Sequence, residues 1–206
     1  MIAALFVEKN GVYANLQNVE VWDISRDARK YPGQWPVICH PPCERWGRYW
    51  SGGPNMSAPR RLKGDDGGCF ASALDSVRRW GGVLEHPEGS HAFREFGLGV
   101  PEWRCGWVRA SDGLPLSWIC SVAQGNYGHQ ARKMTWLYAY SLSKPPALNW
   151  AIPMGRRLDE GFHSKEERGA ARAAGQAPRK RLSKAQNIAT PIAFRDLLIS
   201  IAESAS

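Results

Sequence analysis

The feature that most constrains the fold is a series of short apolar runs, each stopped abruptly by turn-forming residues. "IAALFVE" (2–8) runs into the turn signal "KNG", and "VEVW" (19–22) into "DISRDARKY". "WPVIC" (35–39) ends at Pro41 and Pro42, and "VLEHP" (83–87) at Pro87. Farther on, "LSWICSVAQ" (116–124) and "MTWLYAYSL" (134–142) flank the polar segment "GNYGHQARK". Runs of this length bounded by glycine and proline read as strands rather than helices. Between them, "CFASALDSVRRW" (69–80) carries its apolar residues at helical spacing and is closed by "GG". Strands alternating with helical stretches predict an α/β sheet with helices on its faces.

At 206 residues and 43% apolar content the chain can bury one substantial core without covalent staples. Residues 1–153 are expected to form that domain. From about residue 154 the composition turns polar, basic and rich in small residues, so 154–206 is read as a basic arm. The arm ends in an amphipathic helix, "PIAFRDLLISIAE", which starts with proline and is expected to pack back on the sheet. Residues 51–68, rich in glycine, proline and charge, are expected to form a surface loop.

A net charge of +8 favours a polyanionic partner, since guanidinium groups match phosphate oxygens. Five irregularly spaced cysteines and no signal peptide argue for reduced thiols in a cytoplasm. No apolar run approaches the length of a membrane span. The chain has ten tryptophans, whose first expected role is core or pocket wall and whose second is a stacking platform for bases.

In open α/β sheets, ligands sit beyond the carboxyl ends of the strands. Residues just after the predicted strands are Cys43 in "HPPC", Glu85 in "LEHP", and Gln130 and Arg132 in "NYGHQARK". A thiol, a carboxylate and a fixed cation meeting at one sheet edge would make a pocket for nucleophilic chemistry. Cys43 alone also fits a buried core thiol. Cys39, His40 and Cys43, completed by His86, His91 or His129, form a second alternative, a zinc site.

These residues resemble the cytosine-C5 DNA methyltransferases. "PPCERW" is similar to that family's Pro-Pro-Cys loop, with Trp46 where an aromatic is usual; "EHP" is similar to its Glu-Asn-Val/Pro signature, with His86 in place of asparagine. "NYGHQARKM" is similar to its Tyr-Gly and Gln-x-Arg-x-Arg segment, with Met134 in place of the last arginine. The resemblance is to the compact, phage- or prophage-type members and covers roughly residues 2–150. It implies a truncated Rossmann-like methyltransferase sheet with a C-terminal basic arm and helix.

The resemblance also implies roles: Cys43 attacks C6 of a cytosine, Glu85 binds the N3 and amino edge, and Gln130 and Arg132 complete the base pocket. It implies S-adenosylmethionine as donor, near Phe6, Gly11 and Asp23, and DNA as partner. Arg45, Arg48, Arg60 and Arg61, near the cysteine loop, are candidate phosphate contacts or a solvated basic surface, and Trp46 is a candidate nucleic-acid contact or a core residue. "ALFVEKNGVY" keeps Leu5, Phe6 and Gly11 of the family's glycine-rich turn but has Ala4, Glu8 and Asn10 where Asp, Gly and Gly belong. The stretch after Arg132 is too short for the family's target-recognition domain, so a protein partner would supply that function. Two other readings fit the same departures: a non-catalytic relic that binds nucleic acid or protein, and a C5 transferase using another donor or a nucleotide.

Overall fold

The computed structural model describes residues 1–47, 50, 51, 61–153, 155, 156, 165–176 and 182–205. Its centre is a mixed sheet of seven strands: β1 (Ile2–Leu5), β2 (Val19–Trp22), β3 (Val37–Cys39), β4 (Gly82–Pro87), β5 (Val108–Arg109), β6 (Trp118–Ala123) and β7 (Met134–Tyr140). They lie in the order β2-β1-β3-β4-β7-β6-β5. The first four are mutually parallel; β7 runs antiparallel to β4 and β6, and β5 antiparallel to β6. The fold is therefore α/β, as the alternating apolar runs predict.

Side-chain alternation along the strands builds a core on each face. Ala3, Leu5, Val37, Cys39, Leu84, Trp136 and Tyr138 point to one face, where they meet Phe70, Ala73, Leu74 and Val77 of α1 (Cys69–Trp80). Those four sit at i, i+3, i+4 and i+7, which is one helix stripe. Ile2, Ala4, Ile38, Val83, Leu137 and Ala139 point to the other face and meet Phe194, Leu198, Ile201 and Ala202 of α5 (Ile192–Glu203). The C-terminal helix thus covers a face of the sheet formed by the N-terminal strands. Shorter helices are α2 (His91–Glu95), α3 (Lys165–Ala173) and α4 (Lys184–Ile188).

Two local features fix this arrangement. Gly82 starts β4 at φ +121°, and a Cβ there would sit 2.0 Å from the Val37 carbonyl oxygen of β3, so only glycine lets the two strands pair in register. Asp66 organises the described end of the loop before α1: its carboxylate accepts from the Phe70 and Gly68 amides and from Trp46 Nε1. Residues 52–60 of that loop lie outside the described residues.

The strand order reverses between β1 and β3, because β2 lies on one side of β1 and β3 on the other. Beyond the carboxyl ends of such a pair is the crevice where α/β sheets place ligands. Since β6 runs parallel to β4, the same edge also carries the end of β6 and the start of β7.

Candidate functional site

A chain of hydrogen bonds crosses that edge. His40, the first residue after β3, has Nδ1 3.0 Å from Glu85 Oε2 on β4 and Nε2 2.9 Å from the hydroxyl of Tyr13, which lies in the β1–β2 connection. Glu85 Oε1 accepts from Gln124 Nε2 at 3.1 Å, and the same amide donates to Thr135 Oγ1 of β7 at 3.0 Å. Tyr13 and Gln124 are buried, and the side chains of His40 and Glu85 are only 15% and 13% exposed. One carboxylate is thus held by partners from β3 and from the turn after β6. The arrangement satisfies a charge that burial alone would make costly.

Electrostatics tie Cys43 and Lys133 to the same carboxylate. Burial raises the Cys43 thiol above its ordinary value, the Glu85 charge raises it further, and Lys133 opposes both. Burial lowers the Lys133 ammonium, against the attraction of Glu85 and Cys43. Burial would raise the Glu85 carboxyl, but the hydrogen bond from His40 and the Lys133 charge outweigh it and hold the group below its usual value. Glu85 is therefore ionised at neutral pH, and Cys43 rests as a thiol. Lys133 adopts φ +38°, a conformation that side-chain-bearing residues rarely take, and its ammonium donates to the Ile188 and Ala189 carbonyls at the end of α4.

His86, at the position where the resembled family has asparagine, is fully buried, and its Nδ1 lies 2.7 Å from Ser90 Oγ. Burial pushes its imidazole down to about 4, against the Glu85 charge and the Pro42 carbonyl, which favour protonation. It is a neutral prop between the Pro-Pro-Cys loop and β4.

The structure brings Cys43 and Glu85 together and sets Gln130 and Arg132 apart from them. Gln130 is exposed and accepts from Gln186 of α4 at 3.1 Å; Arg132 is exposed and donates through Nε to the Gly155 carbonyl. The cation whose charge acts on the thiol is instead Lys133, the next residue, with its ammonium on the carbonyls at the end of α4. Trp46 is no stacking platform: it is 5% exposed, packs on Phe70 and Phe96, and donates its indole N–H to Asp66. Arg61 is exposed and Arg45 half-buried, while Arg48 and Arg60 lie outside the described residues. Among the described residues, no group of three or more His, Cys, Asp or Glu is placed to hold a metal ion; His40, proposed for a zinc site, is committed to Tyr13 and Glu85.

The expected cofactor residues lie at the ends of β1 and β2. Phe6 follows β1 at φ +59°, and Asp23 follows β2. Asp23 Oδ1 accepts from the Ser25 hydroxyl and from the Ser25 and Arg26 amides, bonds that hold its carboxyl below the usual range. Gly11 donates its N–H to the Glu8 carbonyl, and a Cβ on it would meet that same oxygen at 3.1 Å, so the glycine closes the turn on itself. The Tyr13–His40 hydrogen bond spans the crevice between the ends of β1 and β3. This set does not fit the glycine-lined backbone approach that S-adenosylmethionine requires in the resembled family.

Tyr13, Gln124 and Lys133 escape a reading of the sequence by motifs. His40 had a signal, its place directly before Pro-Pro-Cys, but its two partners are 27 and 45 residues away. No protein-family model matches this chain, and no curated protein and no solved structure matches it.

Proposed function

We propose that this chain is a cytosine-C5 DNA methyltransferase-like protein, built on a truncated Rossmann-like sheet, whose Cys43 adds to C6 of a cytosine. The observation that carries the reading is a Glu85 carboxylate held by His40 and Gln124 at the edge where the strand order reverses, near enough to Cys43 in the loop after β3 and to Lys133 before β7 for their charges to act on one another. The order β2-β1-β3-β4 with its reversal at β1/β3 supports the Rossmann-like assignment.

The chemistry follows from these groups. C5 of cytosine is a poor nucleophile until a thiolate bonded at C6 gives the ring enamine character. In that step the S–H bond of Cys43 breaks, an S–C6 bond forms, the C5=C6 electrons move into the ring, and a proton is taken up at N3. Lys133 favours the thiolate, and ionised Glu85 faces the N3 and amino edge. A duplex hides C6, so the target is a flipped base or a single strand. A methyl donor, S-adenosylmethionine in the resembled family, would supply the group placed on C5. The chain's own residues carry the reaction as far as the C6 adduct and exchange of the C5 hydrogen.

The test is a DNA strand carrying 2-pyrimidinone, which lacks the 4-amino group and adds thiols readily. The expected result is a protein–DNA adduct that survives denaturing electrophoresis with wild type and is absent with Cys43→Ser. The closed turn after β1 and the raised thiol favour a second reading, a non-catalytic nucleic-acid-binding relic, which predicts DNA binding without an adduct in either protein.

A further inference from the structure

Resting on that reading, we infer that His40 is a positioning residue that supplies, through Glu85, the proton taken up at N3 of the base, with Tyr13 holding its ring in both charge states. The inference starts from a mismatch. The addition needs a proton at N3, and the carboxylate facing that edge has none of its own to give at neutral pH. His40 is bonded to this carboxylate, with Nδ1 3.0 Å from Oε2. The proton that leaves Nδ1 for Glu85 Oε2 is the one that Glu85 then passes to N3, which leaves the carboxylate ionised and the imidazole neutral. The proton that Cys43 loses to solvent and the proton that His40 later regains from solvent balance the step.

Tyr13 holds the ring through this exchange. Its hydroxyl, 2.9 Å from Nε2, accepts from Nε2–H both when the ring is charged and after Nδ1 has given up its proton, so the ring is held in place through the transfer. The phenol itself stays protonated, raised by burial and by the Glu85 charge. The charged and titratable groups around the relay are Glu85 and His86 on β4, Lys133 before β7, Cys43 in the loop after β3, Cys39 on β3, and Arg195 and Asp196 on α5 near Tyr13. Gln124 fixes the other carboxylate oxygen, which keeps Oε2 on His40.

The experiment is the pH profile of tritium release from C5-labelled cytosine in single-stranded DNA, with wild type, His40→Gln and Tyr13→Phe. Gln at position 40 keeps an N–H for Glu85 but carries no transferable proton. Wild type is expected to release tritium faster as pH rises and the Cys43 thiol ionises. His40→Gln is expected to lose about 100-fold in rate across the profile, with DNA affinity retained. Tyr13→Phe is expected to lose less than His40→Gln. A His40→Gln profile that keeps the wild-type rate would overturn the inference while leaving the C6-adduct reading standing. No release by wild type at any pH overturns both.

Discussion

Cys43 rests as a thiol, and the charges around it set how readily it ionises. Glu85 raises its pKa and Lys133 lowers it, so the two neighbours should move its reactivity in opposite directions. Glu85→Gln should speed alkylation of Cys43 by iodoacetamide at pH 8 several-fold, and Lys133→Met should slow it, whereas Arg132→Ala should leave it unchanged. Equal effects at Lys133 and Arg132 would mean that the wrong cation has been assigned to the site. The two are neighbours in sequence, and no motif distinguishes them. Lys133 turns at φ +38° and bonds the carbonyls at the end of α4 while Arg132 bonds the Gly155 carbonyl, a divergence legible only in three dimensions.

His86 makes a second residue-scale prediction. Its folded imidazole is pushed from 6.5 down to about 4, so between those values the unfolded chain binds a proton that the native protein does not. Stability is therefore full above pH 6.5 and falls as pH drops toward 4, by about 3 kcal/mol from this group. Glu85, held below its ordinary 4.5, adds a further loss on acidification below that value. Urea unfolding at pH 7 and pH 5 measures the first effect; a midpoint that does not fall at pH 5 would contradict it.

At the scale of elements, the sheet and its two covering helices follow from local signals. The runs that became β1, β3, β4, β6 and β7 are short, apolar and punctuated, and α1 and α5 carry apolar stripes at helical spacing. β5 and α2 are too short to show a period: β5 has two residues and exists through its pairing with β6, and α2 is a single capped turn after Ser90. Packing of the C-terminal helix is worth testing directly. Leu198→Ala should cost about 2–5 kcal/mol, since Leu198 is fully buried against the sheet. Gly82→Ala should cost more than about 2 kcal/mol, because both φ and the Val37 carbonyl exclude a Cβ. A surface-like cost at either position would mean that β4 or α5 does not sit where the structure places it.

For the whole molecule, the proposed function needs a base within a polyanion, and a charge of +8 suits such a partner. Binding to single-stranded DNA should weaken roughly 100-fold or more between 50 and 200 mM salt if phosphate contacts dominate. The ordered positions of Cys43 and Glu85 made part of this edge legible in the sequence. The Tyr13–His40–Glu85–Gln124 chain was not, since each bond joins residues far apart in the chain and depends on strand order. No helix among the described residues is long and apolar enough to cross a membrane.

The central claim is attack on C6, and its most direct measurement is release of tritium from C5-labelled cytosine in DNA, by wild type and Cys43→Ser, with and without S-adenosylmethionine. The account predicts release by wild type, none by Cys43→Ser, and release that does not require S-adenosylmethionine, because exchange at C5 needs only the C6 adduct. Absence of release by wild type across single- and double-stranded DNA, with binding intact, would contradict it.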